Sequence, residues 1–278
     1  MAILSGSTLQ NVWFDIIDMP LGTRLQKPRR HGLTMVMDKG LGLMETVELL
    51  SIGSSYFDFV KLAFGTSALY NRDLLIKKIS LIKAQGIHVY PGGTFFEVAA
   101  MQNKTDVFLQ RAQELGFSAI EISDGTISIP PETRRQAISK AADMGLIVLS
   151  EVGKKDPSEN LSPDDVANQI KLDLAAGVQK VILEARESGK GIGIYNDKGE
   201  IKKDLFAKLI AKIPDLDSVI WEAPLKQQQQ ELILAFGPNV NLGNIPPGEI
   251  LALESLRVGL RGDTLKTVFE QNLLGCHQ

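Results

Sequence analysis

Short apolar runs recur along the chain. Each is closed by polar residues, and each is followed by a segment whose apolar residues return at helical spacing. The runs read as strands are GLTMVMD (32–38), FDFVKLA (57–63), IHVYPG (87–92), AIEIS (119–123), LIVLSEV (146–152), KVILEAR (180–186), SVIWEA (218–223) and NVNLGN (239–244), eight in all. Between them the helical period appears in LMETVELLSIG, in NRDLLIKKISLIKAQG, and in FFEVAAMQNKTDVFLQRAQELG with a break near Asn103. PPETRRQAISKAADMG opens on proline and closes on glycine, the asymmetry of a helix start and stop. SPDDVANQIKLDLAAG offers Ser162 as N-cap, Pro163 at the first helical position and acids in the first turn. KKDLFAKLIAKI, QQQQELILAFG and PPGEILALESLRVGL complete the helical set.

Strands that alternate with helices through short loops pair in parallel, with right-handed crossovers. Eight such units predict a closed α/β barrel, the (β/α)8 or TIM barrel, with an open doubly wound sheet as the alternative. No linker divides the chain, so the organisation expected is an N-terminal extension (1–31), one barrel domain (32–264) and a C-terminal tail (265–278). The extension is expected either to cap the barrel floor or to reach a neighbouring subunit.

Composition narrows the function. A net charge of −3 and a pI near 5.7 argue against an electrostatic nucleic-acid binder. The single cysteine, Cys276, allows no internal disulfide, which fits a reducing compartment. The first residues show no signal-peptide pattern, and no apolar stretch has the length to span a bilayer, so a cytoplasmic protein with no membrane partner is expected. His31, His88 and His277 are scattered, which leaves no zinc cluster and no hydrolase triad.

In a barrel, function gathers at the C-terminal ends of the strands. Those ends read MDKG, VKLAFGT, YPGGT, EISDG, SEVGKK, EARESGKG, EAP and NLGN. Glu121, Glu151, Glu184 and Glu222 come from four of them, Asp38 and Asp124 stand near two ends, and Lys39, Lys61, Lys154, Lys155 and Arg186 carry the opposite charge. A purely structural ion-pair ring accounts for any one of these as readily as a site does. As a set, with glycines beside them that let backbone approach a ligand, they read as a site.

Side chains alternate along a strand, so Glu151, Gly153 and Lys155 share a face if the backbone stays extended. Lys155 is thus the preferred active-site lysine, and Lys154 turns toward the helices or solvent. Arg186, Ser188 and Lys190 lie on a glycine-rich loop suited to an oxyanion, although its spacing is no dinucleotide fingerprint. For a phosphate, two candidates stand side by side: Gly243 and Asn244 in VNLGN ahead of a helix, and Gly92 and Gly93 in PGGT; Asn241 is a further site candidate. A hard cation such as Mg2+ bridging an anionic substrate suits these residue types.

Taken in order, GLTMVMDKGLG, YFDFVKLAFGTS, VYPGGTFFE, EISDGT, SEVGKKDP, VILEARESGKGIG, EAPLKQQQQ, NVNLGNIPP and LESLRVGLRGDT resemble the phosphosulfolactate synthase family over about 32–264. The glutamine run in LKQQQQ is longer than the family pair, and the extension lies outside the match. The resemblance implies a barrel that adds sulfite to phosphoenolpyruvate with Mg2+. In methanogens that reaction opens coenzyme M biosynthesis, and in some bacteria it feeds sulfolactate. It implies further that Lys155, in VGKK, is the general acid. Lys61, Arg186 and Lys190 would then reduce the repulsion between two anionic substrates, and Glu121, Glu151 and Glu184 would serve the metal or its surroundings. RVGLRGDT, with Arg257 and Arg261, reads as a fixed corner or subunit contact, and a homo-oligomer is expected. The alternatives are a stress-associated barrel of the same family without this catalysis, like some plant relatives, or another phosphorylated-enolate or phosphosugar enzyme.

Overall fold

Strands that are apolar on both faces cannot lie half in water; they need a layer on each side. The computed structural model describes residues 13, 16–22, 24–156, 159 and 161–275. Its strands are β1 (Thr34–Asp38), β2 (Phe59–Leu62), β3 (His88–Pro91), β4 (Ala119–Ile122), β5 (Ile147–Val152), β6 (Lys180–Leu183), β7 (Val219–Glu222) and β8 (Leu242–Ile245). All paired neighbours are parallel, in the order β3-β2-β1-β8-β7-β6-β5-β4. The two ends of that order meet where Ser118 N donates to the Val89 carbonyl at 3.2 Å and Val89 N donates to Ser118 Oγ at 3.1 Å. That meeting makes a nearly closed (β/α)8 barrel rather than an open sheet.

The helices are α1 (Leu43–Gly53), α2 (Arg72–Lys83), α3 (Gly93–Met101), α4 (Thr105–Leu115), α5 (Pro131–Asp143), α6 (Pro163–Ala176), α7 (Lys203–Ile210), α8 (Lys226–Phe236), α9 (Ile250–Arg257) and α10 (Gly262–Gly275). The break expected near Asn103 separates α3 from α4, and Asn103 takes a positive φ of 56° there. Ser162 caps α6, accepting from Asp165 N at 3.2 Å, with Pro163 as its first residue. The chain expected to be tail from 265 instead continues as a helix from Gly262. Its apolar residues recur at helical spacing, but a glycine start gives no N-cap signal.

Strand alternation makes two cores. Outward residues such as Val36, Leu62, Ile120, Val148 and Trp221 pack on the helices, while Met35, Phe59, Tyr90, Leu149, Ile182 and Ile220 fill the lumen. At the floor, Arg24 pairs with Glu254 at 3.1 Å, Lys27 donates to the Phe57 carbonyl at 2.9 Å, and Arg29 pairs with Asp58 at 3.0 Å. The described end of the N-terminal extension is thereby tied to the N-terminal ends of the strands. Arg257, read as part of a fixed corner or subunit contact, is fully buried and donates to the carbonyls of Leu33, Pro238 and Val240. It is a corner of the fold. Arg261, beside Asp263 at 3.4 Å, stays partly exposed.

Candidate functional site

Two residues beyond five of the lumen-filling apolar side chains, the strands turn polar. Lys61 follows Phe59, Glu121 follows Ala119, Glu151 follows Leu149, Glu184 follows Ile182 and Glu222 follows Ile220, all buried. Lys61 Nζ stands 3.1 Å from Glu121, 3.2 Å from Glu151 and 3.4 Å from Glu222, drawing strands from across the barrel onto one ammonium. Above it, Lys155 Nζ lies 2.9 Å from Glu151 Oε1, 3.6 Å from Glu184 and 3.7 Å from Glu97, and donates to Thr94 Oγ1 at 3.2 Å. The chain bends at Gly153, with φ 133°, yet Lys155 stays on the Glu151 side. A Cβ at Gly153 would come 2.7 Å from the Glu184 Cβ, so the bend needs glycine.

Five buried carboxylates (Glu97, Glu121, Glu151, Glu184, Glu222) thus face two ammonium groups, and the excess charge is negative. Burial opposes the Lys61 charge, but Glu121, Glu151 and Glu222 outweigh it and hold the group well above its ordinary value. Lys155 is likewise raised: burial works against it, and Glu151 with Glu184 prevails. Burial would push Glu151 up, but Lys61 and Lys155 hold it well below the usual carboxylate range. The remaining carboxylates go the other way. Burial, only partly offset by Lys61, lifts Glu121 to about 7; burial also raises Glu222, and burial together with the Glu151 charge drives Glu184 well up. The cluster therefore keeps its lysines charged and leaves protons, or a cation, on some of its acids.

A hard divalent cation fits this donor set. The oxygens are carboxylate, the excess charge is negative and buried, and Glu184 Oε2 has no hydrogen-bond partner. Among the described residues no three His, Cys, Asp or Glu groups already stand as a ligand set. An ion such as Mg2+ takes one or two carboxylates and completes its shell with water and substrate oxygens.

Other expected residues fall elsewhere. Lys154 donates to the Asp124 carbonyl at 2.8 Å, and the Asp124 carboxylate pairs with Arg134 at 3.0 Å, in a network behind β5 that ends on Asp173. Asp38 faces outward, pairs with Lys78 of α2 and accepts from Gly40 N and Leu41 N. Asn241 lies at the other end of the barrel, accepting from Leu33 N at 2.9 Å and donating to the Asp217 and Val219 carbonyls. Lys39 reaches from the β1 loop to Glu187 of the β6 loop at 2.5 Å, both half exposed. Arg186, Ser188 and Lys190 are exposed on that β6 loop, with Arg186 at a φ of 61°. Gly92 approaches Lys61 closely, and the Gly93 N–H is already donated to Glu121 Oε1 at 2.6 Å, leaving no room for a Cβ there. At the β8 end Gly243 packs over Met35, and Asn244, at φ 56°, buries an Oδ1 that has no partner.

Sequence reasoning passed over Glu97, Ser123 and Tyr90. Tyr90 lies in the lumen, its buried hydroxyl without a partner and pushed well above its ordinary value by burial. Ser123 Oγ stands 2.9 Å from both Glu97 and Glu151, and its one hydrogen serves one of them at a time. A glutamate inside an apolar helix start, GTFFEVAAM, was the available sign of Glu97.

Residues 22–263 match the model of the (2R)-phospho-3-sulfolactate synthase (ComA) family. The chain is 48% identical over 257 residues to the phosphosulfolactate synthase of Methanothermobacter thermautotrophicus, covering 92% of this chain and 98% of that one. It is 40% identical over 250 residues to that of Bacillus subtilis, covering 88% and 97%. Its backbone overlays 3-hexulose-6-phosphate synthase from Salmonella typhimurium with a TM-score of 0.54 at 11% identity, covering 82% of this chain and 100% of the other. The YdjI aldolase of Escherichia coli K12 gives 0.52 at 11% identity, covering 87% and 90%. At such identities the likeness is one of fold.

Proposed function

The chain belongs to the phosphosulfolactate synthase family, and from that premise we propose that it joins sulfite to phosphoenolpyruvate to give (2R)-phospho-3-sulfolactate, acting as a carbon–sulfur lyase in the synthetic direction. The observation that carries this reading is Lys155, a charged ammonium 2.9 Å from Glu151 at the mouth of a carboxylate-lined lumen. The sulfur lone pair forms a bond to the methylene carbon, and the alkene electrons move toward the substrate carboxylate. Lys155 then gives its proton to the carbon that bears the phosphate, closing the addition with no leaving group. The ammonium is recharged from solvent, to which its side chain is 22% exposed.

Mg2+ would be held by Glu184 and Glu151, with Glu121 in support, and when bound it supplies Lewis-acid stabilisation of the substrate carboxylate. Lys61 keeps the carboxylates from repelling an anionic substrate. Arg186, Ser188 and Lys190 have the free donors to meet one of the two anions. For the phosphate, the β3 end with Gly92 and Gly93 and the β8 end with Gly243 and Asn244 stay level, because the Gly93 N–H is given to Glu121 and the Asn244 N–H to Met35 Sδ. The substrates are small anions and the setting is the cytoplasm; among the described residues no helix is long and apolar enough to cross a membrane.

The test is product formation from phosphoenolpyruvate, sulfite and Mg2+ by the wild type and by Lys155→Ala. Loss of a general acid predicts a fall in kcat of about 10²–10⁴ in a variant that keeps its fold. A folded wild type that forms no sulfonate would refute the synthase reading and favour a non-catalytic or different-substrate barrel. An active Lys155→Ala would move the acid elsewhere.

A further inference from the structure

We propose that Glu97 is a positioning residue for Lys155, acting through the loop that follows β4; the proposal rests on the reading of Lys155 as the acid. Glu97 is 2% exposed, and its two oxygens do different things. Oε2 accepts from the backbone amides of Thr126 at 2.9 Å and Ile127 at 2.8 Å, while Oε1 accepts from Ser123 Oγ at 2.9 Å. One side chain of α3 thus fastens both ends of the 123–127 loop. That loop in turn fixes Lys155. The Gly125 carbonyl accepts the Lys155 N–H at 2.9 Å, and Gly125 packs so closely that a Cβ there would lie 3.1 Å from the Gly153 carbonyl and 3.4 Å from Lys155 Cγ.

From the same loop Ser123 reaches Glu151 at 2.9 Å, and Glu151 is the nearest carboxylate to the Lys155 ammonium. Backbone, stem and counter-ion of Lys155 are therefore all set by a segment that Glu97 holds down. Glu97 also lies 3.7 Å from Lys155 Nζ, within ion-pair reach though beyond a hydrogen bond, and Glu97→Gln removes that charge while keeping an oxygen for the loop. A lysine on an irregular strand end after a left-handed glycine needs such support, because its long side chain has many rotamers of similar energy.

The experiment compares Glu97→Ala and Glu97→Gln in the full-length protein, by steady-state kinetics and by amide hydrogen exchange at Thr126, Ile127 and Lys155. Glutamine keeps one side-chain oxygen, enough for the two amides that share Oε2. It should hold their protection and lose far less kcat than alanine, whereas alanine should release all three amides. A displaced acid should then cost Glu97→Ala up to about a hundredfold in kcat, with KM for phosphoenolpyruvate little changed. Amides that stay protected in Glu97→Ala overturn the clamp. Amides that open while kcat holds overturn the positioning role, and so does an equal loss of kcat in Glu97→Gln with protection intact. If the wild type makes no product, the reading of the activity fails, and the exchange data still decide whether Glu97 holds the loop.

Discussion

At the scale of single residues, the lumen is an exercise in charges that burial would otherwise forbid. Lys61 is the clearest case: it is buried among Glu121, Glu151 and Glu222, and each carboxylate depends on it. Lys61→Met should cost about 3–5 kcal/mol at neutral pH, since removing one partner leaves uncompensated buried charge. The loss should shrink in acid. Without the ammonium Glu121 and Glu222 rise further above their unfolded values, and Glu151 loses part of what holds it down. A raised carboxylate loses stability as pH climbs through the interval between its unfolded and folded values. Urea denaturation at pH 5.5 and 7.5 checks this; a gap from wild type that is equal at both, or wider at the lower pH, contradicts it. Lys155 differs from Lys61 in being partly open to solvent, which the proposed role of giving and regaining a proton requires.

At the scale of elements, strand ends and helices are joined by ion pairs outside the lumen. Asp38 of β1 and Lys78 of α2 are both buried, and Lys78 also reaches the Leu41 carbonyl and Tyr70. Lys78→Met should therefore destabilise by about 3–5 kcal/mol, and the double variant with Asp38→Leu should regain part of that, because an apolar pair leaves no stranded charge. The recovery stays partial, as Asp38 also accepts from Gly40 N and Leu41 N. Denaturant midpoints of the two variants decide it: a double variant weaker than the single one sinks the argument. This pair was not separable from the site by sequence. Barrel strands are apolar on both faces, so alternation alone does not say which face looks inward. Grouping Asn241 with the mouth has another cause: the apolar pattern reads the strand over 239–244, but β8 begins at Leu242, so Asn241 lies at the floor.

At the scale of the whole molecule, excess negative charge at one end of the barrel should make stability depend on a bound cation. Anything that binds the folded state alone adds about 2.7 kcal/mol at a hundred times its Kd. Protons compete for the same oxygens. Since Glu121 titrates at about 7 and Glu184 and Glu222 are raised as well, the gain in Tm with Mg2+ should be larger at pH 8 than at pH 6. Thermal melts with and without Mg2+ at the two pH values measure it, and no shift, or one independent of pH, would place any cation away from these acids.

The sequence by itself determined the strand and helix count of the barrel, because apolar period is a local property that each segment carries alone. It also placed Lys61, Lys155 and the glutamates on strand ends, and kept Lys155 in phase with Glu151. The C-terminal helix escaped, since Gly262 supplies no cap. What only the tertiary structure decided is which charges meet. Glu97 and Ser123 meet the lumen cluster, and Asp38, Asp124 and Asn241 stand outside it, through contacts between residues far apart in the chain. Inward or outward orientation is fixed by barrel closure and register, and no local pattern encodes those.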